Sequence, residues 1–215
     1  MAVKKDDGFF PELFESNGIT EFEGYDQYPV IKRENEVIIP ARLVPYSKMS
    51  SNLSKDVFVH FYEFDVNFLG IRRTINNRME DFKKCGGVIT PDFSIYRDRP
   101  LIVQKMNTFL NRMIGAILQN NGVYVVVNIR AGDERTYQFC CKGAPKHSII
   151  AVGAVSAMKK KEEIEVFAKG LNFIIQTLEP TDIIVYGKLP DSIKNKYNTT
   201  VRFHEYESEC SKRHR

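Results

Sequence analysis

The chain of 215 residues has no tryptophan and only four cysteines, Cys85, Cys140, Cys141 and Cys210. None of them forms a Cys-x-x-Cys pair or a Cys/His spacing of the zinc-site kind, so no structural zinc and no disulfide framework is expected. They read as reduced thiols of a cytoplasmic protein. No apolar run approaches the roughly 18 residues of a membrane-spanning helix. The N-terminus, MAVKKDDGFFPELF, places acids where a signal peptide has its apolar core, so neither secretion nor a membrane partner is expected. Charge of one sign is also scarce. Lys and Arg number 31 against 27 Asp and Glu, a net +4, with much of the surplus local to KKK at 159–161 and to the tail SKRHR. A basic nucleic-acid face does not follow from that balance alone.

Missing signatures remove whole reaction classes. There is no G-x-x-x-x-G-K-[ST] loop, no G-x-G-x-x-G after a strand, no G-x-S-x-G elbow and no H-E-x-x-H. A P-loop NTPase, an ordinary dinucleotide fold, an α/β-hydrolase and a zincin are thereby set aside. No strand carries the stacking aromatics of an RNA-recognition module. His60, Glu63 and Asp65 lie close together, as do Asp133 and Glu134, but neither set has a diagnostic ligand spacing, and no metal or other cofactor is assigned.

What is present is an α/β alternation, in a chain whose 43% hydrophobic content is too high for disorder. Residues 1–56 are broken by Gly8, Gly18, Gly24, Pro11, Pro29, Pro40 and Pro45, with short apolar pieces such as Leu43–Val44 between them, and read as a short irregular extension of turns and short edge strands packed on the main domain. The domain spans 57–207, with 208–215 as a basic tail. Strands are expected at 56–62, 88–90, 124–129, 148–155, 182–187 and 200–206. The run 124–129, YVVVNI, has the continuous apolar character of a strand buried on both faces.

Helices are expected between the strands. Phe68, Ile71, Ile75, Met79 and Phe82 share one face of the first, and a long one opens at Pro100 with Val103, Met106, Met113 and Ile117 inward. A short helix over 134–141 and two more over 161–178 and 190–197 complete the series. On the long helix, Gln104, Asn107, Asn111 and Gly115 form a polar side. It is either a solvated face or one turned to a crevice. Crossovers of this length favour a mostly parallel sheet of about six strands, either doubly wound or a partial barrel.

In parallel folds ligands lie at the carboxyl ends of the strands. Two strand-end loops stand out, TPDFSIYRDRP after the second strand and NIRAGDERTY after the third. Each mixes arginines with acids, a combination able to clamp a phosphate while a carboxylate handles a proton. Asp92 and Asp133 are the candidate catalytic acids. Ser94, Arg112, Asn128, Arg130, Arg135 and Tyr137 are the candidate ligand-binding residues. The competing reading makes Asp92 and Asp133 helix caps with the arginines as their ion-pair partners. A cap needs one side chain and each loop offers about five, which weighs against capping as the whole explanation. His60 and His204 are read either as a base or as satisfied core residues.

These two loops, with NTFLNRMIGAILQNNG, HFYEFD and IIVYG, resemble a domain-of-unknown-function family common in phages, prophages and mobile elements. The resemblance runs from about 45 to 207. It carries over onto Asp92, Ser94, Tyr96, Asn107, Arg112, Gln119, Asn128, Arg130, Gly132, Asp133, Arg135 and Tyr137. Two departures are visible: Ala131 stands where an aromatic is expected, and AVSAM (154–158) replaces a Thr-His-Gly-like stretch. The resemblance implies a phage or mobile-element origin and a host-cytoplasm setting.

The expected function is a pocket for a phosphate-bearing ligand, a nucleotide or nucleic acid, either hydrolysed or sequestered, including a host signalling nucleotide. The alternative is an interaction protein without catalysis that engages a host protein through Phe9, Phe10, Phe14, Phe22, Tyr25 and Tyr28.

Overall fold

The computed structural model describes residues 16–155, 157–158 and 160–208. Phe9, Phe10, Phe14, Cys210 and the tail from 209 lie outside the described residues. An antiparallel ribbon, β1 (Phe22–Glu23) and β2 (Tyr28–Pro29), precedes the main sheet. That sheet has seven strands: β3 (Arg42–Pro45), β4 (Val57–His60), β5 (Gly87–Ile89), β6 (Val125–Asn128), β7 (Ile149–Gly153), β8 (Asp182–Tyr186) and β9 (Arg202–Tyr206). Every neighbouring pair is parallel, and spatial order equals sequence order.

That order decides between the two architectures left open. A doubly wound sheet must reverse its strand order to place helices on both faces. With sequential order and crossovers of one hand, all helices fall on one face, and the sheet curls into a half-barrel. The count of six strands is corrected to seven, because Arg42–Pro45 pairs with β4 as an edge strand. In the sequence, Leu43–Val44 between Pro40 and Pro45 reads as a piece of a short edge strand among turns, outside the main sheet. An edge strand tolerates proline, since one row of its N–H groups has no partner to lose.

Helices α1 (Ile71–Thr74), α2 (Met79–Lys84), α3 (Leu101–Asn120), α4 (Lys161–Leu178) and α5 (Asp191–Tyr197) fill the crossovers. The first expected helix is broken by a 3-10 turn at Asn76–Arg78. Its apolar face is nonetheless the one foreseen, with Phe68, Ile71, Ile75, Met79 and Phe82 all buried. The expected helix at 134–141 is a 3-10 turn over Glu134–Gln138. On α3 the inward face differs from the apolar stripe: Val103 and Met106 are exposed, while Gln104, Asn111 and Arg112 are buried. Its polar side is therefore not a solvated face; it packs against the main chain of the strand-end loops.

The strands divide the core by their period of two. Val59, Val88, Val127, Val152 and Val185 pack against the helices. Phe58, Ile89, Val126, Ala151, Ile184 and Tyr186 fill the concave side. Across the open edge of the half-barrel, the Tyr206 hydroxyl donates to the Pro40 carbonyl at 2.5 Å, linking β9 to the segment entering β3.

At the amino end of β8, Asp182 is buried and accepts from Arg202 Nε and Nη2 at 2.8 and 2.7 Å, with His204 Nε2 at 2.8 Å. Burial pushes its carboxyl up, but the bonds from Arg202 and His204 outweigh this and bring it down to about 2. A carboxyl more acidic in the folded than in the unfolded chain stabilises the fold above pH ~4 and loses that contribution as pH falls toward about 2. Arg202 is largely exposed, so solvent screens part of the effect. An acid titration followed by circular dichroism should show up to about 2 kcal/mol lost over that window, and Asp182→Asn should flatten it. The same acid profile in both proteins would exclude Asp182 as the source.

Candidate functional site

The carboxyl ends of β4 to β8 open into a cavity of about 590 Å³ in the mouth of the half-barrel. Its wall includes His60, Tyr62, Asp92, Ser94, Arg130 and Tyr186. Strand parity explains the set: Phe58 and His60 on β4, and Val126 and Asn128 on β6, point to the concave side, so the last inward residue of each strand faces the mouth.

Four of the expected residues meet here. Asn128 Nδ2 donates to Asp92 Oδ1 at 2.8 Å, and Arg130 Nη1 reaches Asp92 Oδ2 at 2.5 Å. The Tyr62 hydroxyl donates to Asn128 Oδ1 at 2.9 Å, extending the chain of bonds to β4. Burial, with Asp92 adding to it, pushes the Tyr62 phenol well above its ordinary value, so it remains a donor at neutral pH. Ser94 is held on the rim by Asp65, through its amide at 3.2 Å and its hydroxyl at 2.9 Å. Beneath them α3 presents Asn107 to the Ser94 carbonyl and Asn111 to the Pro91 carbonyl, at 2.6 and 2.7 Å. The polar side of α3 thus braces the loop that carries Asp92.

The other expected residues are engaged elsewhere. Asp133 caps the 3-10 turn by accepting from the Arg135 amide at 3.1 Å, and it also takes the Arg135 guanidinium at 2.7 Å. That guanidinium holds the Asp133 carboxyl below its usual range. Arg135 Nη2 also donates to the Arg97 carbonyl at 2.6 Å, so the two loops do touch. Tyr137 stacks on Phe173 of α4 with ring centroids 4.4 Å apart. Arg112 is buried under the loops and bonded to main-chain carbonyls. His204 lies at Asp182, away from the mouth.

The sequence reading missed Tyr62 and Tyr186, which stack at 4.6 Å with His60 packed 4.6 Å from Tyr186. The signal for Tyr62 was its place two residues beyond His60, on the same face of an extended chain. Gly153 makes the stacking fit, since a Cβ there would stand 2.9 Å from the Tyr62 ring. Of the two departures noted in the sequence, Val155 lines the mouth where a polar residue was expected, and Ala131 lines a second cavity.

This second cavity, of about 570 Å³, lies on the helix side of the strand ends, between β6, β7 and α4. Its floor is apolar, formed by Ile129, Val152, Phe167, Leu171 and Ile174, and an Arg97–Glu163 ion pair stands at its edge. Tyr96, Arg130 and Gly153 line both cavities and form the ridge between them. Among the described residues no cluster of three or more His, Cys, Asp or Glu side chains is arranged to hold a metal ion, and no helix is long and apolar enough to cross a membrane.

Comparison with known proteins agrees with the motif phrases. Two curated relatives are phage proteins, each called "Gene 1 protein". That of Mycobacterium phage L5 is 28% identical over 131 residues, covering 61% of this chain and 57% of its own length. That of Mycobacterium phage D29 is 26% identical over 131 residues, covering 61% and 48%. The match therefore spans about half the length of these relatives. No solved structure matches the chain. The family described as "Domain of unknown function (DUF4417)" matches residues 20–207, and the chain belongs to that phage-associated family.

Proposed function

We propose that the mouth of the half-barrel binds a phosphate-bearing ligand of the nucleotide class. The observation that carries this reading is the state of Arg130. Asp92 fixes its Nη1, while Nε and Nη2 have no hydrogen-bond partner among the described residues. A guanidinium held at one end with donors free at the other suits a phosphate, which it can meet with two parallel bonds.

The remaining wall fits the rest of a nucleotide. Tyr62, half-buried and stacked on the buried Tyr186, brings aromatic character to the wall against which a base can pack. Glu63 and Asp65, each tied to a serine hydroxyl, keep acceptor capacity for sugar hydroxyls. Both Asp92 oxygens are lodged against Asn128 and Arg130. We therefore give Asp92 the role of positioning the guanidinium, and Asp133, committed to Arg135, no part in the site.

Isothermal titration of the full chain with AMP, GMP and inorganic pyrophosphate tests the reading. Arg130→Gln, which keeps a donor toward Asp92, should weaken binding at least about tenfold, or 1.4 kcal/mol, with little change in the thermal melt. No binding at millimolar ligand, or equal binding by the variant, would overturn it. The second reading, docking of a host protein, draws on the exposure of Tyr25 and Phe22. It requires that Tyr25→Ser abolish capture of a defined host protein while the nucleotide titration is unaltered.

A further inference from the structure

We infer that the ligand is a dinucleotide, two nucleosides joined through phosphate, lying across the Arg130 ridge with one nucleoside in each cavity. This rests on the phosphate reading of Arg130 and adds to it the second cavity.

Two cavities of nearly equal size, about 590 and 570 Å³, adjoin at the strand ends and share Tyr96, Arg130 and Gly153. Each falls in the range usual for small-ligand pockets. The shared cation stands at the boundary, so an anionic group bound there is in the middle of the ligand, with a ring system on either side. The mouth offers the Tyr62–Tyr186 stack. The second cavity offers the Phe167 side chain over an aliphatic floor, with the polar Arg97, Asp98 and Glu163 at its edge. This combination matches the apolar faces and polar rim of a nucleoside better than a bare hydrocarbon chain, which has no partner for those charges.

The wall of the second cavity between the end of β6 and α4 is built of small residues. Ala131 and Gly170 are in contact there, and a Cβ on Gly170 would lie only 2.9 Å from that of Ala131. A larger side chain at either position would project into the cavity or push α4 away. Gly153, lacking a side chain on the ridge, leaves the crossing low.

The test compares AMP with the linear dinucleotide pApA and with NAD⁺, two dinucleotides that differ in the bridge, by calorimetry on the full chain. At least one dinucleotide should bind about 100-fold more tightly than AMP, because linked groups that engage two sites gain effective concentration. Ala131→Phe, which fills the second cavity, should bring that ratio close to one. Saturation-transfer NMR on the unaltered protein, independent of any variant's folding, should show contact at the protons of both nucleosides. AMP and dinucleotides binding alike, with saturation confined to one nucleoside, would overturn the two-cavity inference and leave the Arg130 reading standing. Absence of binding by all three, with Arg130→Gln without effect, would overturn both.

Discussion

Replacing Arg112 with methionine should destabilise the fold by about 2–6 kcal/mol, about 1–3 for each of the two carbonyls left without a donor, and lower the melting temperature by roughly 4–24 °C. Arg112 is among the largest fully buried side chains. Its Nε donates to the Lys142 carbonyl at 2.7 Å and its Nη2 to the Cys140 carbonyl at 2.6 Å. Nη1 is bonded to the Asn111 side-chain oxygen and lies 3.4 Å from the Asn128 carbonyl. No carboxylate takes part, and the charge is met by four carbonyl dipoles from three parts of the chain. Burial brings the guanidinium down to about 10, so it is still a cation at neutral pH.

Methionine has similar length and suits an apolar site, but it leaves the Lys142 and Cys140 carbonyl oxygens desolvated and unpaired, while Asn111 Oδ1 keeps the Thr90 hydroxyl and the Asn128 carbonyl keeps Asn111 Nδ2. Arg112→Lys should fall between the two, because an ammonium keeps the charge and cannot span the same acceptors. Differential scanning calorimetry of the three proteins ranks them. An unchanged melting temperature for the methionine variant would show that water or main-chain movement satisfies the carbonyls instead.

Gly143→Ala should remove about 2–4 kcal/mol and loosen the 23–31 segment before the rest of the molecule. Gly143 has φ of +69°, a conformation that a side chain disfavours. Its Cβ would stand 2.3 Å from the Pro29 carbonyl oxygen and 3.3 Å from Arg112 Cγ. Main chain on one side and the buried stem of Arg112, whose guanidinium is fixed by its hydrogen bonds, on the other leave no cheap direction for relief. The residue also joins the segment to the core, since its carbonyl accepts from the Ile31 amide at 2.9 Å and its amide donates to Glu23 Oε2 at 2.7 Å. Hydrogen exchange should show the Ile31 amide losing protection well before the amides of β6 and β7. Uniform loss across the chain, or none, would contradict a local anchoring role.

The parts of the fold legible in the sequence are those where burial and composition coincide. The runs at 124–129, 148–155 and 182–187 announce β6, β7 and β8 because each is covered on both faces, and apolar residues then occur without alternation. β3 was legible only as a short apolar piece, Leu43–Val44, of the kind a short edge strand uses; its place in the main sheet was not, since four residues closed by Pro45 carry no sign of what they pair with. α3 misled for a different reason. Periodicity assumes that the inward face is apolar, whereas Gln104, Asn111 and Arg112 face inward because loop carbonyls of Arg99, Cys140 and Lys142, the Asn128 carbonyl at the end of β6 and the Thr90 hydroxyl meet their donors and the Asn111 oxygen. A sequence does not show where such partners lie.

The site divides along the same line. The rule that ligands sit at strand ends selected Asp92, Ser94, Asn128 and Arg130, which converge. It also selected Asp133 and Arg135, where an acid two residues before an arginine at the start of a helical turn satisfies its own neighbours. Capping and ligand binding call for the same residue types in the same place, and only the direction of the side chain separates them.

The agreement between spatial and sequence order in the sheet has a consequence for how the molecule forms. Each strand from β4 onward has its template in the strand just before it, so every pairing closes a loop of one crossover and none waits for a distant segment. Parallel sheets are ordinarily slow to assemble because their contacts are remote in sequence. Here the sheet is able to grow unit by unit from its first edge as the chain leaves the ribosome, with a single exposed growing edge at any moment.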